Sequence, residues 1–249
     1  MPRFFVSVPI LGEEEIRISG REARHMRRVL RLKVGDRVDI FDGTGKEYHG
    51  QITHQHHQNV TVRIVETTSP DQESPLTLVM GQSLIKGDKM DFVIQKATEM
   101  GVSTIIPFVS SRSVTRVDPG NIEQRLNRWR AIAVESSKQC GRLIPLNIGT
   151  ILGFDEALGR APLSTRRIIL CERATYRLKS LFREIDRSSR SSQSFYFIVG
   201  PEGGFTEDEV KKAEKAEFTP VSLGSRILRA ETAGLSFVSI LQYEWGDMG

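Results

Sequence analysis

Two glycine-bearing segments near the C-terminal end carry residue types suited to holding and orienting a ligand. In Ile198-Val199-Gly200-Pro201-Glu202-Gly203-Gly204-Phe205 an apolar run gives way to glycines, followed by the capping pattern Thr206-Glu207-Asp208-Glu209. Glycine lets backbone N–H groups approach a ligand because no Cβ intervenes. The carboxyl end of a strand in an open α/β sheet is the usual ligand crevice. Glu202 adds a carboxylate to this loop. The same segment would also serve as a tight strand-to-helix turn with no ligand at all. In the second segment, 222–236, a strand ends at Leu223-Gly224, and Arg226, Arg229, Glu231 and Thr232 crowd together with Ile227 and Leu228 among them out of helical register. A surface helix start tolerates that mixture, and a loop wrapping a ligand with apolar and polar parts calls for it. Two such loops on consecutive strands, facing one crevice, favour the ligand reading more than either does alone.

A third segment is suited to polyanions. Between residues 21 and 37, Arg21, Arg24, Arg27, Arg28, Arg31, Lys33 and Arg37 stand against only Glu22 and Asp36. Arg and Lys supply the phosphate contacts that dominate nucleic-acid affinity. A solvated helix face has the same composition, but a small β domain beside it tilts the reading towards RNA. His54, His56 and His57 fall in a turn with no Cys or matching acid, so an exposed polar loop is expected there and no metal. No G-x-G-x-x-G follows an early strand, which argues against a dinucleotide fold. Gly43-Thr44-Gly45-Lys46 lacks the upstream glycine of a phosphate loop and reads as a hairpin turn.

The 249 residues suffice for one large domain or two small ones, on a prior of roughly 100–200 residues each. With 39% hydrophobic and 27% charged residues and a net charge of +4, the chain has an ordinary folded composition that permits polyanion binding. Two distant cysteines, no apolar leader and no long apolar run predict a cytoplasmic protein.

Residues 1–72 are expected to form a small β domain. Short strands are predicted at 37–42, 47–53 and 59–66, and a helix at 21–32 with Ala23, Met26, Val29 and Leu30 on one face. The polar, proline-bearing stretch 69–75 reads as a joint. From 73 to 249 strands alternate with helices, which predicts a mainly parallel α/β sheet. Strands fall at 76–82, 103–109, 166–172, 194–200 and 220–224, with helices at 88–101, from Asp118-Pro119 to Gly141, at 177–185, from Thr206, and at 230–245. The stretch 187–194 reads as a polar loop.

His25-Met26-Arg27-Arg28-Val29-Leu30-Arg31, Ile85-Lys86-Gly87-Asp88-Lys89-Met90-Asp91, Gln95-Lys96-Ala97-Thr98-Glu99-Met100-Gly101, Gly200-Pro201-Glu202-Gly203-Gly204 and Leu223-Gly224-Ser225-Arg226-Ile227-Leu228-Arg229-Ala230-Glu231-Thr232-Ala233 together resemble the RsmE family. These are bacterial 16S ribosomal RNA uracil-N3 methyltransferases (uracil 1498) of the SPOUT superfamily. The resemblance runs from about residue 3 to about 245. It implies a PUA-like N-terminal β-barrel for RNA and a C-terminal α/β domain with a trefoil knot, a feature that local sequence does not reveal. It also implies S-adenosylmethionine as methyl donor and a homodimer formed through the knotted domain. Carried over, donor contacts come from Leu170, Gly200, Pro201, Glu202, Gly203, Leu223, Gly224, Ile227, Leu228, Arg229 and Thr232. RNA contacts come from Arg3, Arg24, His25, Arg27, Arg28 and Arg31. Catalysis is expected from Arg229 or Arg226, stabilising charge on a uracil oxygen, and from Glu231 or Glu202, as base or as a holder of the loops. Other readings are a non-catalytic RNA-binding assembly factor, a methyltransferase of the same superfamily acting on transfer RNA, and an anion-binding metabolic enzyme.

Overall fold

The structure is a computed structural model that describes residues 1–70, 73–114, 118–162, 164–185 and 193–249. Most of the polar stretch 187–194, and residues 71 and 72 of the joint 69–75, lie outside the described residues. Two compact units result: Met1–Glu73 with Ser137–Pro145, and Ser74–Ser136 with Leu146–Gly249.

The first unit contains β1 (Arg3–Phe5), β2 (Glu15–Ser19), α1 (Gly20–Arg24), a π-helical turn (His25–Val29), β3 (Arg37–Phe41), β4 (Glu47–Gln55) and β5 (Asn59–Thr68). The strands form one curled sheet in the order β1-β3-β4-β5-β2, antiparallel except for the parallel β1–β3 pair. Alternation sends Ile16 and Ile18 of β2, and Val60 and Val62 of β5, into a core with Phe4, Met26, Val38, Ile40 and Ile52. Gly50 is required where β4 bulges, since a Cβ there would lie 2.4 Å from Val62 Cγ1. Gly43 and Gly45, both with φ near +85°, close the β3–β4 hairpin as the sequence predicts. Lys138 returns to this unit and pairs with Glu22 at 2.7 Å, a connection that no sequence signal announced.

The expected helix at 21–32 changes its winding midway. Ala23 and Met26 are buried, but Val29 and Leu30 are 68% and 41% exposed, against the expectation that all four share one inward face. The Leu30 N–H reaches back to His25 O, and the Leu32 N–H to Met26 O. Wider turns of this kind rotate the later residues away from the face that a 3.6-residue period assigns them.

The second unit carries β6 (Thr77–Ser83), α2 (Lys89–Glu99), β7 (Thr104–Val109), α3 (Ile122–Cys140, its last turn counted with the first unit), β8 (Asn147–Ile148), β9 (Leu152–Gly153), α4 (Phe154–Leu158), β10 (Arg166–Leu170), α5 (Leu178–Glu184), β11 (Ser194–Val199), α6 (Glu207–Lys215), β12 (Thr219–Val221) and α7 (Ala230–Trp245). The sheet order is β12-β10-β11-β6-β7-β8, with β9 also beside β7, and every pairing is parallel. Strands covered on both faces become continuous apolar runs, and β11 shows why. Phe195, Phe197 and Val199 enter the core shared with α2 and α7, while Tyr196 and Ile198 enter the core shared with α4 and α6. Because the strands are parallel and β12, β10 and β11 are neighbours, the loops that follow these three strands leave from one edge. There the Ser222 N–H donates to Tyr176 O, and the Leu178 N–H donates to Ser222 O. The chain leaving β12 is thereby held against the segment that follows β10.

Candidate active site

A cavity of about 480 Å³ opens at this edge, within the usual range for a small-molecule site. Its apolar wall is made by Leu170 and Val199 at two strand ends and by Leu223, Ile227 and Leu228 after β12. Gly200, Pro201, Glu202 and Gly203 form the opposite loop, and Gly224, Arg226 and Arg229 complete the rim. Eleven residues that the sequence pointed to for donor binding or catalysis are thus brought together. Thr232 and Glu231 do not line the cavity. Both lie in the first turn of α7, where Thr232 is exposed and Glu231 turns towards Lys89.

The glycines have different causes. A Cβ on Gly200 would lie 3.1 Å from the Phe205 ring, one on Gly203 would meet Arg112, and one on Gly204 (φ +67°) would meet Glu172. Those three are fixed by protein packing. Gly224, with φ +122°, has no heavy atom within 4 Å of where a Cβ would stand. Its left-handed backbone at the cavity rim, not want of space, is what calls for a glycine.

Lys89, on the first turn of α2, lines the cavity, and sequence reasoning gave it no role. Its ammonium lies 3.3 Å from Glu231 and 4.0 Å from Glu202. Glu202 also accepts the Lys86 N–H at 3.0 Å, which ties the segment before α2 to the glycine loop. The other Glu231 oxygen is buried without a hydrogen-bond partner among the described residues. A cation on the first turn opposes the helix dipole, and that misfit is the one signal in the sequence that pointed to Lys89 and was passed over. Cys171 also lines the cavity, but burial pushes its thiol above the ordinary range, which makes it an apolar wall element and a poor nucleophile.

In the first unit the expected RNA-contacting residues divide. Arg24, Arg28 and Arg31 are exposed. Arg27 donates to His57 O at 2.5 Å, and His25 packs edge-on to Phe4. Arg3 is bound to Glu47 at 2.6 Å and lies over the Phe41 ring, an engaged and largely buried position.

A parallel sheet with a cavity at one edge, in a chain that also carries a small curled β unit, is an arrangement shared with two-domain RNA methyltransferases. A sequence model of the RNA methyltransferase domain matches residues 72–242, and one of the RNA methyltransferase PUA domain matches 18–65. The chain is 30% identical to the ribosomal RNA small subunit methyltransferase E of Bacillus subtilis, covering 98% of this chain and 97% of that one. It is 32% identical to the Rickettsia conorii protein of the same name, covering 95% and 93%. The crystal structure of a ribosomal RNA small subunit methyltransferase E from Neisseria gonorrhoeae, bound to S-adenosyl methionine, superposes with a TM-score of 0.89 at 33% identity over the whole of both chains. This chain belongs to the ribosomal RNA small subunit methyltransferase E family. Its fold class is the expected one, a SPOUT-type parallel α/β domain with a PUA-like β domain. No helix among the described residues is long and apolar enough to cross a membrane.

Proposed function

We propose that this chain transfers a methyl group from S-adenosylmethionine to N3 of a uracil in 16S ribosomal RNA, with residues 1–72 binding RNA and 73–249 performing the transfer. The observation that carries this is the cavity built by the loops after β10, β11 and β12. Its apolar wall and its glycine-bearing loop fit a ligand with a flat aromatic part and a polar tail. Leu170, Leu223, Ile227 and Leu228 would hold the apolar part, with 200–203 along the polar part. S-adenosylmethionine supplies an electrophilic methyl group on a sulfonium.

Uracil N3 carries a proton at neutral pH that must leave, which calls for a base or for stabilisation of the resulting anion. Arg229 and Arg226, exposed at the rim, are the groups placed to meet charge on a uracil oxygen. Glu202 lines the cavity and is the better placed carboxylate to take the proton, whereas Glu231 holds Lys89. The N3 edge is used in base pairing, so the target is an unpaired or flipped-out base. Exposed Arg24, Arg28 and Arg31 serve the phosphates. A homodimer is supported by Phe92, Ile240 and Tyr243, which α2 and α7 leave 46%, 36% and 67% exposed.

The test is calorimetric titration of S-adenosylmethionine into the protein and into Gly224→Val, followed by mass-spectrometric mapping of methylated nucleotides. Saturable binding, weakened at least about tenfold in the variant, and methyl transfer to N3 of a uracil in small subunits are expected, because a β-branched residue at φ +122° forces the rim loop out of shape. Methylation of transfer RNA in place of the subunit, or no donor binding with or without RNA, would overturn the proposal.

A further inference from the structure

Arg112 stands in the segment 110–113 that follows β7, two strands away from β11 in the sheet order. Its guanidinium Nη1 donates to the carbonyl oxygens of Gly203 at 3.0 Å and Phe205 at 3.5 Å. Its aliphatic stem lies along the same glycine: a Cβ on Gly203 would sit 3.3 Å from Arg112 Cβ and 3.5 Å from Cδ. One residue earlier, the Ser111 N–H donates to Glu209 Oε1 at 2.8 Å, while the other oxygen of the buried Glu209 accepts the Thr206 N–H at 2.9 Å. The segment is itself tied down. Ser113 Oγ accepts the Ser110 N–H at 3.0 Å and lies 2.9 Å from Ser83 Oγ at the end of β6. The glycine loop is therefore gripped on one side by 110–113 and presents Gly200, Pro201, Glu202 and Gly203 to the cavity on the other.

Peptides between glycines turn over easily, because no Cβ restricts them. A carbonyl held by a cation fixes which way its peptide unit points. We propose that Arg112 is a positioning residue for the methyl donor: it locks the backbone of 202–205 in the donor-binding orientation without lining the donor cavity. The inference rests on the donor reading of that cavity. It also changes the reason for Gly203, which is a glycine because the stem of Arg112 occupies the place of a side chain.

The test uses the full chain. S-adenosylmethionine is titrated into the wild type, Arg112→Ala, Arg112→Lys, Gly203→Ala and the Arg112→Ala/Gly203→Ala double variant, with thermal melts and with KM for RNA at saturating donor. Arg112→Ala is expected to weaken donor binding about tenfold, the size of one charge-assisted hydrogen bond. Arg112→Lys should recover part of the loss, with KM for RNA and the melting midpoint little changed. The two single losses should be non-additive in the double variant. Donor affinity in Arg112→Ala equal to that of the wild type would overturn the proposal alone. So would intact donor affinity with a salt-sensitive rise in KM for RNA, which would assign Arg112 to a phosphate. If Arg112→Ala does not fold, wild-type affinity in both Arg112→Lys and Gly203→Ala overturns it. A wild type that binds no donor overturns the donor reading first, and this proposal with it.

Discussion

Arg229 and Glu231 are two positions apart, yet the fold gives them different surroundings. Arg229 occupies the N-cap position of α7 at the cavity rim, whereas Glu231 turns inwards to Lys89. Their roles should separate in kinetics. Arg229→Ala should lower kcat by about 10²–10³-fold, the usual cost of losing one group that stabilises transition-state charge, with a smaller change in donor affinity. Glu202→Gln should lower kcat in a way that higher pH partly restores, because ionisation of N3 then replaces the base. Steady-state kinetics across pH checks both, and an Arg229→Ala enzyme with near-normal kcat would remove Arg229 from the chemistry. At this scale the sequence exposed residue types but not their facing. Glycine and charge at 200–204 and 224–229 marked the two loops. Nothing in the local pattern told Glu231 from Glu202: both reach Lys89, and only the fold puts Glu202 on the cavity and leaves Glu231 off it.

Elements were legible where periodicity was strong and tertiary demands agreed with it. The final helix begins and ends where its apolar spacing predicts, and Thr206 caps α6 through a reciprocal pair with Glu209. The π-helical turn at His25–Val29 was not legible, because its sequence reads equally well at 3.6 residues per turn. The short strands β8 and β9 and helix α4 were missed as well, being too brief to show a period. One small element offers a pH test. Asp42, at the end of β3, is buried, which works to raise its pKa. Hydrogen bonds from the Ile10 N–H, from the Thr44 hydroxyl and N–H, and from Tyr48 outweigh this and hold it below the ordinary 3.8. A lowered carboxyl pKa stabilises the fold above the unfolded value and loses that contribution as pH falls through the folded value. Asp42→Asn should therefore destabilise the protein by about 1–3 kcal/mol at neutral pH. The gap to wild type should narrow as denaturation is measured below about pH 4, where the wild-type carboxyl begins to protonate; a gap that stays constant with pH would remove the charge from the account.

For the whole molecule, composition carried little and family resemblance carried much. A net charge of +4 fits many proteins, and neither a parallel sheet nor a curled β unit specifies a substrate. The hydrogen bonds between Ser222 and Tyr176 and Leu178 join residues more than forty positions apart, beyond the reach of any window of periodicity. Charge becomes informative through its placement, and binding can measure that. Removing Arg28 should flatten the dependence of log affinity for RNA on log salt by roughly 0.7–0.9 for each phosphate that its guanidinium neutralises, with donor affinity unchanged. Filter binding across a salt series reads the slope directly. An unchanged slope would leave Arg28 as a solvated surface residue.

The donor cavity takes its rim from residues 223–233, which follow β12 and lead into α7. A nascent chain emerging from the ribosome has every strand of the sheet before it has a place for its methyl donor. Chains broken off in synthesis short of that segment lack the rim, so they are born without the means to modify RNA.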